Sequence, residues 1–162
     1  ARVLDAHWRW YLAEHPVLAT RLDASRAVRT LGDLSLAAME RRAREAAAFV
    51  DRLDRLDTLA LAPGDRVTRL VVRRSLAEQV EEQGHAQRAV LFTTYYGWHT
   101  GFANLGEQHP LRTRDDYEAY AARLADFPRY NQGGIATTRA ALAGGHAHAC
   151  GPLAGYDATI AG

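Results

Sequence analysis

Residues 35–56, SLAAMERRAREAAAFVDRLDRL, carry the clearest helical pattern of this 162-residue chain. Ser35 is a favourable N-cap residue, and it is followed by a long run with period near 3.6. Apolar residues recur there with 4-3-4-3 spacing, at Met39, Ala43, Ala46, Val50 and Leu53. Charged residues on the opposite side predict a solvated face, at Arg41, Arg42, Glu45, Asp51 and Arg55. The stretch therefore predicts a long amphipathic helix that packs its stripe against a partner helix.

The partner is predicted immediately after a connector at 57–62. Pro63 suits the first turn of a helix, and Asp65 suits the positive end of the helix dipole. Apolar residues then continue to about Gly84, at Val67, Leu70, Val71, Leu76, Ala77 and Val80. Two long helices joined by a short connection predict an antiparallel hairpin.

The flanking segments predict further helices. An amphipathic helix is expected over 3–14, and Pro16 ends or bends it. Residues 16–33 have no sustained period and indicate a connection with about one helical turn.

A further helix is predicted to begin at Thr113-Arg-Asp-Asp116, which resembles a capping box. Its expected inward residues are Tyr117, Tyr120, Ala121 and Leu124. Pro128 is predicted to stop this helix and to open another over about 128–143.

Two segments interrupt the helical pattern. Residues 85–112 hold five of the 14 aromatic residues within eleven positions, punctuated by glycines, and are predicted to be irregular, with a short extended piece at 89–96. Residues 144–162 are rich in Gly and Ala without a period. We therefore expect an all-α fold, an antiparallel helical hairpin or bundle of about five helices. It comprises a helical module over 1–143 and an irregular Gly/Ala-rich tail over 144–162.

Composition excludes several classes of function. The net charge is +1 with both signs interleaved, which argues against a nucleic-acid partner. All 20 basic residues are Arg, as in chains from GC-rich genomes, so lysine-dependent chemistry is excluded within these residues. The single Cys150 excludes an internal disulfide. No apolar run predicts a membrane span or a signal peptide, and we expect no membrane partner and favour a cytoplasmic location.

Catalytic and metal-binding motifs are missing from the sequence. No pair of histidines has H-E-x-x-H spacing, and no serine lies in a G-x-S-x-G elbow. The carboxylate pairs Asp115/Asp116 and Glu81/Glu82 are expected at a helix start and on a solvated face. His146 and His148, with Cys150 nearby, could bind a metal, although a solvated tail is the preferred interpretation. We predict no catalytic residue and no metal site in this chain.

The segment Tyr95-Tyr-Gly-Trp-His99 is the strongest candidate for ligand contact. Aromatic rings with polar tips on a glycine-flexed stretch are common in peptide and ligand grooves. Tyr96, Trp98 and His99 are therefore the predicted substrate contacts. The competing interpretation is that the aromatic rings fill the gap between helix layers and that His99 lies on the surface.

Five stretches, taken in order, resemble the N-terminal half of the bacterial DUF885 family: residues 8–20, 31–40, 59–66, 109–120 and 123–130. That family is similar to mainly helical zinc metallopeptidases. The resemblance implies a zinc signature, a His-Glu helix with a Pro-Gly-His-His ending, beyond the length of this chain. It thus implies that zinc belongs to the intact family protein and that these residues form one wall of a substrate cleft. The implied partners are the remainder of the polypeptide and a peptide substrate.

Three hypotheses follow for function. The first is the helical scaffold of a zinc-dependent, peptidase-like hydrolase. The second is a non-enzymatic helical binding module, either a degenerate or a truncated relative. The third is a small metal-binding protein that uses His146, His148 and Cys150. The first also predicts an exposed apolar stripe on the isolated chain.

Overall fold

The computed structural model describes residues 2–22, 28–85, 89–93 and 97–156, and the regular secondary structure of these ranges is helical. The elements are α1 (Arg2–Glu14), α2 (Pro16–Arg21), α3 (Leu36–Asp54), α4 (Pro63–Glu82), α5 (Trp98–Ala103), α6 (Leu105–Gln108), α7 (Arg114–Ala143) and α8 (Cys150–Leu153). The all-α prediction is confirmed. The described ranges hold more helices than the five expected, because α5, α6 and α8 are too short to show a helical period in the sequence. None of the helices in the described ranges has the length and apolar character needed to cross a membrane.

Helices α3 and α4 form the predicted hairpin. The Ser35 hydroxyl accepts a hydrogen bond from the Ala38 amide at 3.2 Å, which confirms the predicted N-cap of α3. The buried side of α3 carries Ala46, Phe49 and Leu53, and Leu76 of α4 packs against them. Helix α1 adds apolar residues to the same cluster, so these three helices share one core.

The outer side of α4 differs from the prediction. Leu76 is buried, but Val67, Leu70 and Val71 are about 60% exposed. The inward face of the N-terminal half is set instead by Arg69, which donates to the Leu53 carbonyl at 2.7 Å. The three apolar side chains lie on the solvent side of α4, while Val72 packs against the core. The described chain therefore does carry an exposed apolar stripe.

The expected solvated face of α3 is partly an ion-pair network. Arg41 binds the carboxylate of Glu14 with both terminal nitrogens, at 2.7 and 2.8 Å. Arg41 also donates to Glu45, which accepts a second hydrogen bond from the Trp10 indole. The prediction of a solvated face was wrong for Arg42, whose side chain is 15% exposed because it contacts Glu14 and the Asp33 carbonyl. Arg41 and Glu45 keep 41% and 38% of their side chains exposed within the network.

Helix α7 runs without a break through Pro128, contrary to the predicted stop. A proline inside a helix forfeits one backbone hydrogen bond and crowds the preceding turn. Here the helix packs on both sides of that residue, with Ala119 buried before it and Thr137 and Ala141 buried after it. Tertiary packing on both halves offsets the local cost. The Thr113–Asp116 capping box is confirmed at its start.

The buried face of α7 lies one residue away from the face that was predicted. Asp116, Ala119 and Arg123 are buried, whereas Tyr117 is 57% and Leu124 is 43% exposed. The two sets have the same 3-4 spacing, so periodicity alone does not separate them. The face that is buried is the one whose polar side chains find hydrogen-bond partners in α2 and in the residues before α7. Ala121 is also exposed, and only Tyr120 of the predicted set is half-buried.

The segment 28–35 lies along α7 and is attached through its backbone. The Leu31 amide donates to Asp126, the Gly32 carbonyl accepts from Arg129, and the Leu34 carbonyl accepts from Thr137. Gly32 has a φ of +103°, a conformation that favours glycine. This segment carries Leu31 and Leu34 to the region between α2 and α7.

The segment 85–112 is not irregular throughout, because it contains α5 and α6. Of the extended piece expected at 89–96, the structure shows one isolated bridge between Phe92 and Gly97, and residues 94–96 lie outside the described ranges. In the C-terminal segment, α8 spans Cys150–Leu153. His148 and Tyr156 of this segment contact the Phe92 ring, so it returns to the aromatic region. The division at residue 143 stays a prediction.

Candidate functional site

A cleft lies between α2, segment 28–35, the α5–α6 pair and α7. It consists of two adjoining cavities of about 380 and 580 Å³. The cavities share a wall that we call the waist, formed by Val17, Leu31, Leu34, Gln108 and Tyr130. Both volumes fall within the range of about 300–1,000 Å³ typical of small-ligand sites. The cleft is therefore the candidate site of this chain.

The smaller cavity is the apolar end of the cleft. Besides the waist, its lining includes Leu91, Trp98, Phe102 and Leu105. The Phe102 ring stacks on Phe127 of α7 with centroids 3.9 Å apart, which fixes α5 against that helix. The aromatic residues thus both pack two helices together and present an apolar wall.

Trp98 is held in the cleft by two contacts with α7. Its indole nitrogen donates to the Asn131 side chain at 2.8 Å. Its ring lies directly over Gly134, where a Cβ atom would meet the ring carbon Cε2 at 2.6 Å. The Gly133-Gly134 pair, which weakens a helix by its backbone entropy, therefore allows the close approach of the indole at its second residue.

His99 faces away from the cleft and toward the C-terminal segment. Its Nε2 atom lies 3.3 Å from the Tyr156 hydroxyl, and the two rings meet edge to face. His148 of the same segment hydrogen-bonds to the Phe92 carbonyl. Trp98 therefore lines the cleft and His99 does not, although their rings meet edge to face with centroids 5.6 Å apart. Tyr96 lies outside the described residues. Substrate contact by these three residues stays a prediction.

The waist holds the polar groups that face the apolar end. Gln108 and Tyr130 are half-buried and line both cavities. Burial raises the pKa of the Tyr130 phenol above its ordinary value, so the hydroxyl keeps its proton at neutral pH. The waist therefore offers a carboxamide and a neutral phenol beside an apolar cavity.

The larger cavity is the polar end of the cleft, where Glu14, Asp33 and Arg42 are held by contacts within the fold, whereas Arg21 also lines it and is exposed. Arg42 donates to the Asp33 carbonyl at 2.9 and 3.0 Å and lies 3.5 Å from Glu14. Hydrogen bonds from Arg41 hold the pKa of Glu14 below its ordinary value. The Ser35 amide, which donates to Asp33 at 2.8 Å, likewise lowers the pKa of that carboxyl.

A buried polar cluster joins α2 to α7 beneath the cleft. Arg123 is fully buried and donates to the Pro16 carbonyl, the Thr20 hydroxyl and His109 Nδ1, at 2.9, 2.5 and 3.1 Å. The other ring nitrogen of His109 then carries the proton and donates to the Asp116 carbonyl at 2.8 Å. The guanidinium, whose pKa burial lowers, stays charged and binds α2 to α7.

The sequence prediction missed this cluster. Asp116 was predicted at a helix start, where it does cap the helix, but its full burial was not predicted. The only available signal was the seven-residue spacing of His109, Asp116 and Arg123, which places the last two on one helical face. Gln108 and Tyr130 carried no signal, since their contact with one cleft depends on the packing of separate elements.

The residues described by the structure do not fit a zinc site. Among them, no group of three or more His, Cys, Asp or Glu side chains is placed to hold a metal ion. His148 instead hydrogen-bonds to Phe92, and Cys150 is exposed at the start of α8. A metal site at His146, His148 and Cys150 finds no support in this arrangement.

The family described as bacterial protein of unknown function, DUF885, matches residues 16–154. The chain belongs to the DUF885 family. The match includes the segment 144–154, which the sequence resemblance left out, so α8 and the aromatic contacts of His148 lie within the DUF885 region. Neither the curated proteins nor the solved structures gave a match to this DUF885 chain.

Proposed function

We propose that this DUF885 chain is the helical scaffold in the N-terminal part of a zinc-dependent, peptidase-like hydrolase. In this role it forms part of the wall of the substrate cleft and supplies no catalytic group. The observation that carries the proposal is the cleft itself, with Trp98 held by Asn131 and Gly134 at its apolar end. Membership of the family supports it through the resemblance to helical zinc peptidases.

Zinc would be held by residues outside this chain, because the described residues offer no fitting ligand group. Within the chain, the Arg123 cluster joins α2 to α7, and segment 28–35 is attached to α7 by its backbone. Both connections hold elements that form the cleft wall. In this proposal the chain therefore positions the substrate and excludes water from it.

The remainder of the polypeptide is the proposed partner. The exposed stripe of Val67, Leu70 and Val71 on α4 is apolar surface that gains stability when it is covered. The stripe lies in the N-terminal half of α4, whereas the α4 residue that lines the cleft, Gln79, lies near the C-terminal end of that helix. A segment that covers only the stripe would therefore leave the cleft open.

The test is expression of the complete gene product, followed by elemental analysis and assay of fluorogenic peptides with and without a chelator. We expect stoichiometric zinc and chelator-sensitive hydrolysis. We further expect Trp98→Ala to raise KM about tenfold or more with a smaller effect on kcat, because it removes binding surface remote from the reacting bond. Trp8→Ala is the matched control, since Trp8 is 47% exposed on α1 and does not line the cleft.

A complete gene product without zinc and without hydrolysis would overturn the enzyme proposal. If Trp98-dependent ligand binding survived in that product, the non-enzymatic binding module would be the correct function. Unchanged kinetics in the Trp98 variant of an active enzyme would show that the cleft is not the substrate site.

A further inference from the structure

Two polar side chains at the waist of the cleft have hydrogen-bonding capacity that the fold does not use. In the described ranges, the structure gives no side-chain hydrogen bond to Gln108 or to Tyr130, although both are half-buried. Half-buried polar groups are normally paired with protein or water. A carboxamide that can both donate and accept, on the same cavity wall as a phenol that can donate, is complementary to an amide group of a ligand.

The neighbouring apolar end sets the second requirement. Leu91, Trp98, Phe102 and Leu105 surround a cavity of about 380 Å³ beside the waist. The Trp98 indole nitrogen is already bound to Asn131, so the ring presents only apolar surface to the cavity. This end is suited to a large aromatic or branched aliphatic side chain.

Three of the charged groups at the polar end of the cleft are already held by contacts within the fold. The carboxylate of Glu14 is held by Arg41, and the guanidinium of Arg42 is held by Asp33 and Glu14. The Asp33 carboxylate accepts the Ser35 amide. A ligand charge at Glu14, Asp33 or Arg42 would have to displace one of these contacts, whereas a neutral amide at the waist displaces none. Arg21 also lines this end of the cleft but is exposed to solvent and does not belong to the waist.

We propose that the cleft binds a peptide through a neutral backbone amide at Gln108 and Tyr130, with the bulky apolar side chain of the same residue against Trp98. The inference rests on the proposed function and defines its substrate class as peptides with a large apolar residue at this subsite. The subsite selects by amide pairing and by apolar volume together.

The experiment titrates the 162-residue chain with three probes, followed by calorimetry and by the NMR signal of the Trp98 indole N–H. The signal is assigned by its loss in Trp98→Phe. The probes are N-acetylphenylalanine N-methylamide, the corresponding alanine amide, and N-acetylphenylalanine methyl ester. We expect the phenylalanine amide to bind and to shift the Trp98 signal. The alanine amide should bind about tenfold more weakly for lack of apolar contact, and the ester about fivefold more weakly for lack of one N–H.

Variants separate the two parts of the subsite. Gln108→Leu should abolish the preference for amide over ester while it keeps the preference for phenylalanine over alanine. Tyr130→Phe should weaken binding of the amide about fivefold. Gln132→Leu is the matched control, because Gln132 is exposed on α7 and does not line the cleft.

Three results would overturn the inference. They are equal binding of amide and ester to the unaltered chain, binding that leaves the Trp98 signal unmoved, and no binding at millimolar probe. Failure here is distinct from failure of the proposed function, because these titrations need neither zinc nor turnover. An active zinc hydrolase that shows any of the three results would retain the function and lose this subsite.

Discussion

Replacing Gly134 with alanine tests the contact that positions Trp98. A Cβ atom on Gly134 would lie 2.6, 2.8 and 2.9 Å from Cε2, Cδ2 and Nε1 of the indole, whereas ordinary contacts are 3.4–4 Å. The indole would have to move by about 1 Å, which breaks its 2.8 Å hydrogen bond to Asn131. The substitution therefore perturbs the packing of α5 on α7 and the apolar end of the cleft together.

The magnitude follows from three opposing effects. Overpacking costs about 1–3 kcal/mol, and the lost hydrogen bond costs about 1 kcal/mol. Alanine in place of glycine inside a helix returns about 1 kcal/mol. Gly134→Ala should therefore lower the free energy of unfolding by about 1–3 kcal/mol. For a chain of this size, each kcal/mol corresponds to about 2–4 °C in Tm.

Gly133→Ala is the matched control in the same helical turn. A Cβ atom there would meet Leu34 at 3.8 Å, an ordinary contact, so only the gain in helix propensity remains. We expect this variant to be more stable than the parent by about 0.5–1 kcal/mol. The two adjacent glycines should therefore respond with opposite sign.

Urea unfolding followed by circular dichroism gives both free energies, and the Trp98 indole signal reports the local displacement. If Gly134→Ala is as stable as Gly133→Ala, Trp98 does not make the close contact with α7 that the structure shows. An unmoved Trp98 signal in Gly134→Ala would contradict the same contact independently of stability.

Other substitutions test the buried cluster, the cap and the ion pair. Arg123→Met should lower the free energy of unfolding by about 2–4 kcal/mol in urea, because it leaves buried acceptors without donors. Arg139 is exposed on the same helix, so Arg139→Met should change the free energy of unfolding by less than about 0.5 kcal/mol. Ser35→Ala should cost about 1 kcal/mol by loss of the α3 cap, measured in the same way; no measurable change would show that the cap is dispensable. The folded pKa of Glu14 lies below its ordinary value of 4.5, so its ion pair stabilises the fold above pH 4.5 and is lost as pH falls further. Between pH 6 and strongly acidic pH, Glu14→Gln should therefore lose less stability than the parent, and parallel curves would refute this.

The sequence predicted the elements with strong local signals. The Ser35 cap and the Thr113 capping box depend on residues within one turn of each other, and the α3–α4 hairpin was predicted from the helical period on each side of a short connection. All three are confirmed. The continuity of α7 was not predictable in this way. The free-energy cost of Pro128 inside the helix is offset by the packing of residues up to 13 positions away, such as Ala141.

The prediction of which face of α7 is buried was wrong for a related reason. Tyr117 and Leu124 are apolar and have helical spacing, but the polar set Asp116 and Arg123 has the same spacing one residue earlier. Burial of Arg123 depends on acceptors in α2, more than 100 residues away in sequence. A single sequence carries no record of such a pairing.

The site was predictable only in part. Trp98 stood out because an aromatic residue follows Gly97 in a stretch without helical period, and the structure places it in the cleft. Gln108 and Tyr130 meet there because α6 and α7 converge on segment 28–35. Residues of ordinary type become a site only through that convergence.

The attachment of segment 28–35 to α7 has a consequence for evolution. Asp126, Arg129 and Thr137 hold the segment by its main-chain atoms, which every residue type shares apart from the amide that proline lacks. The side chains of Leu31 and Leu34 can therefore be exchanged without release of the segment. Relatives with this attachment could change the shape of the cleft, and hence the ligand they select, while they keep the same helical frame.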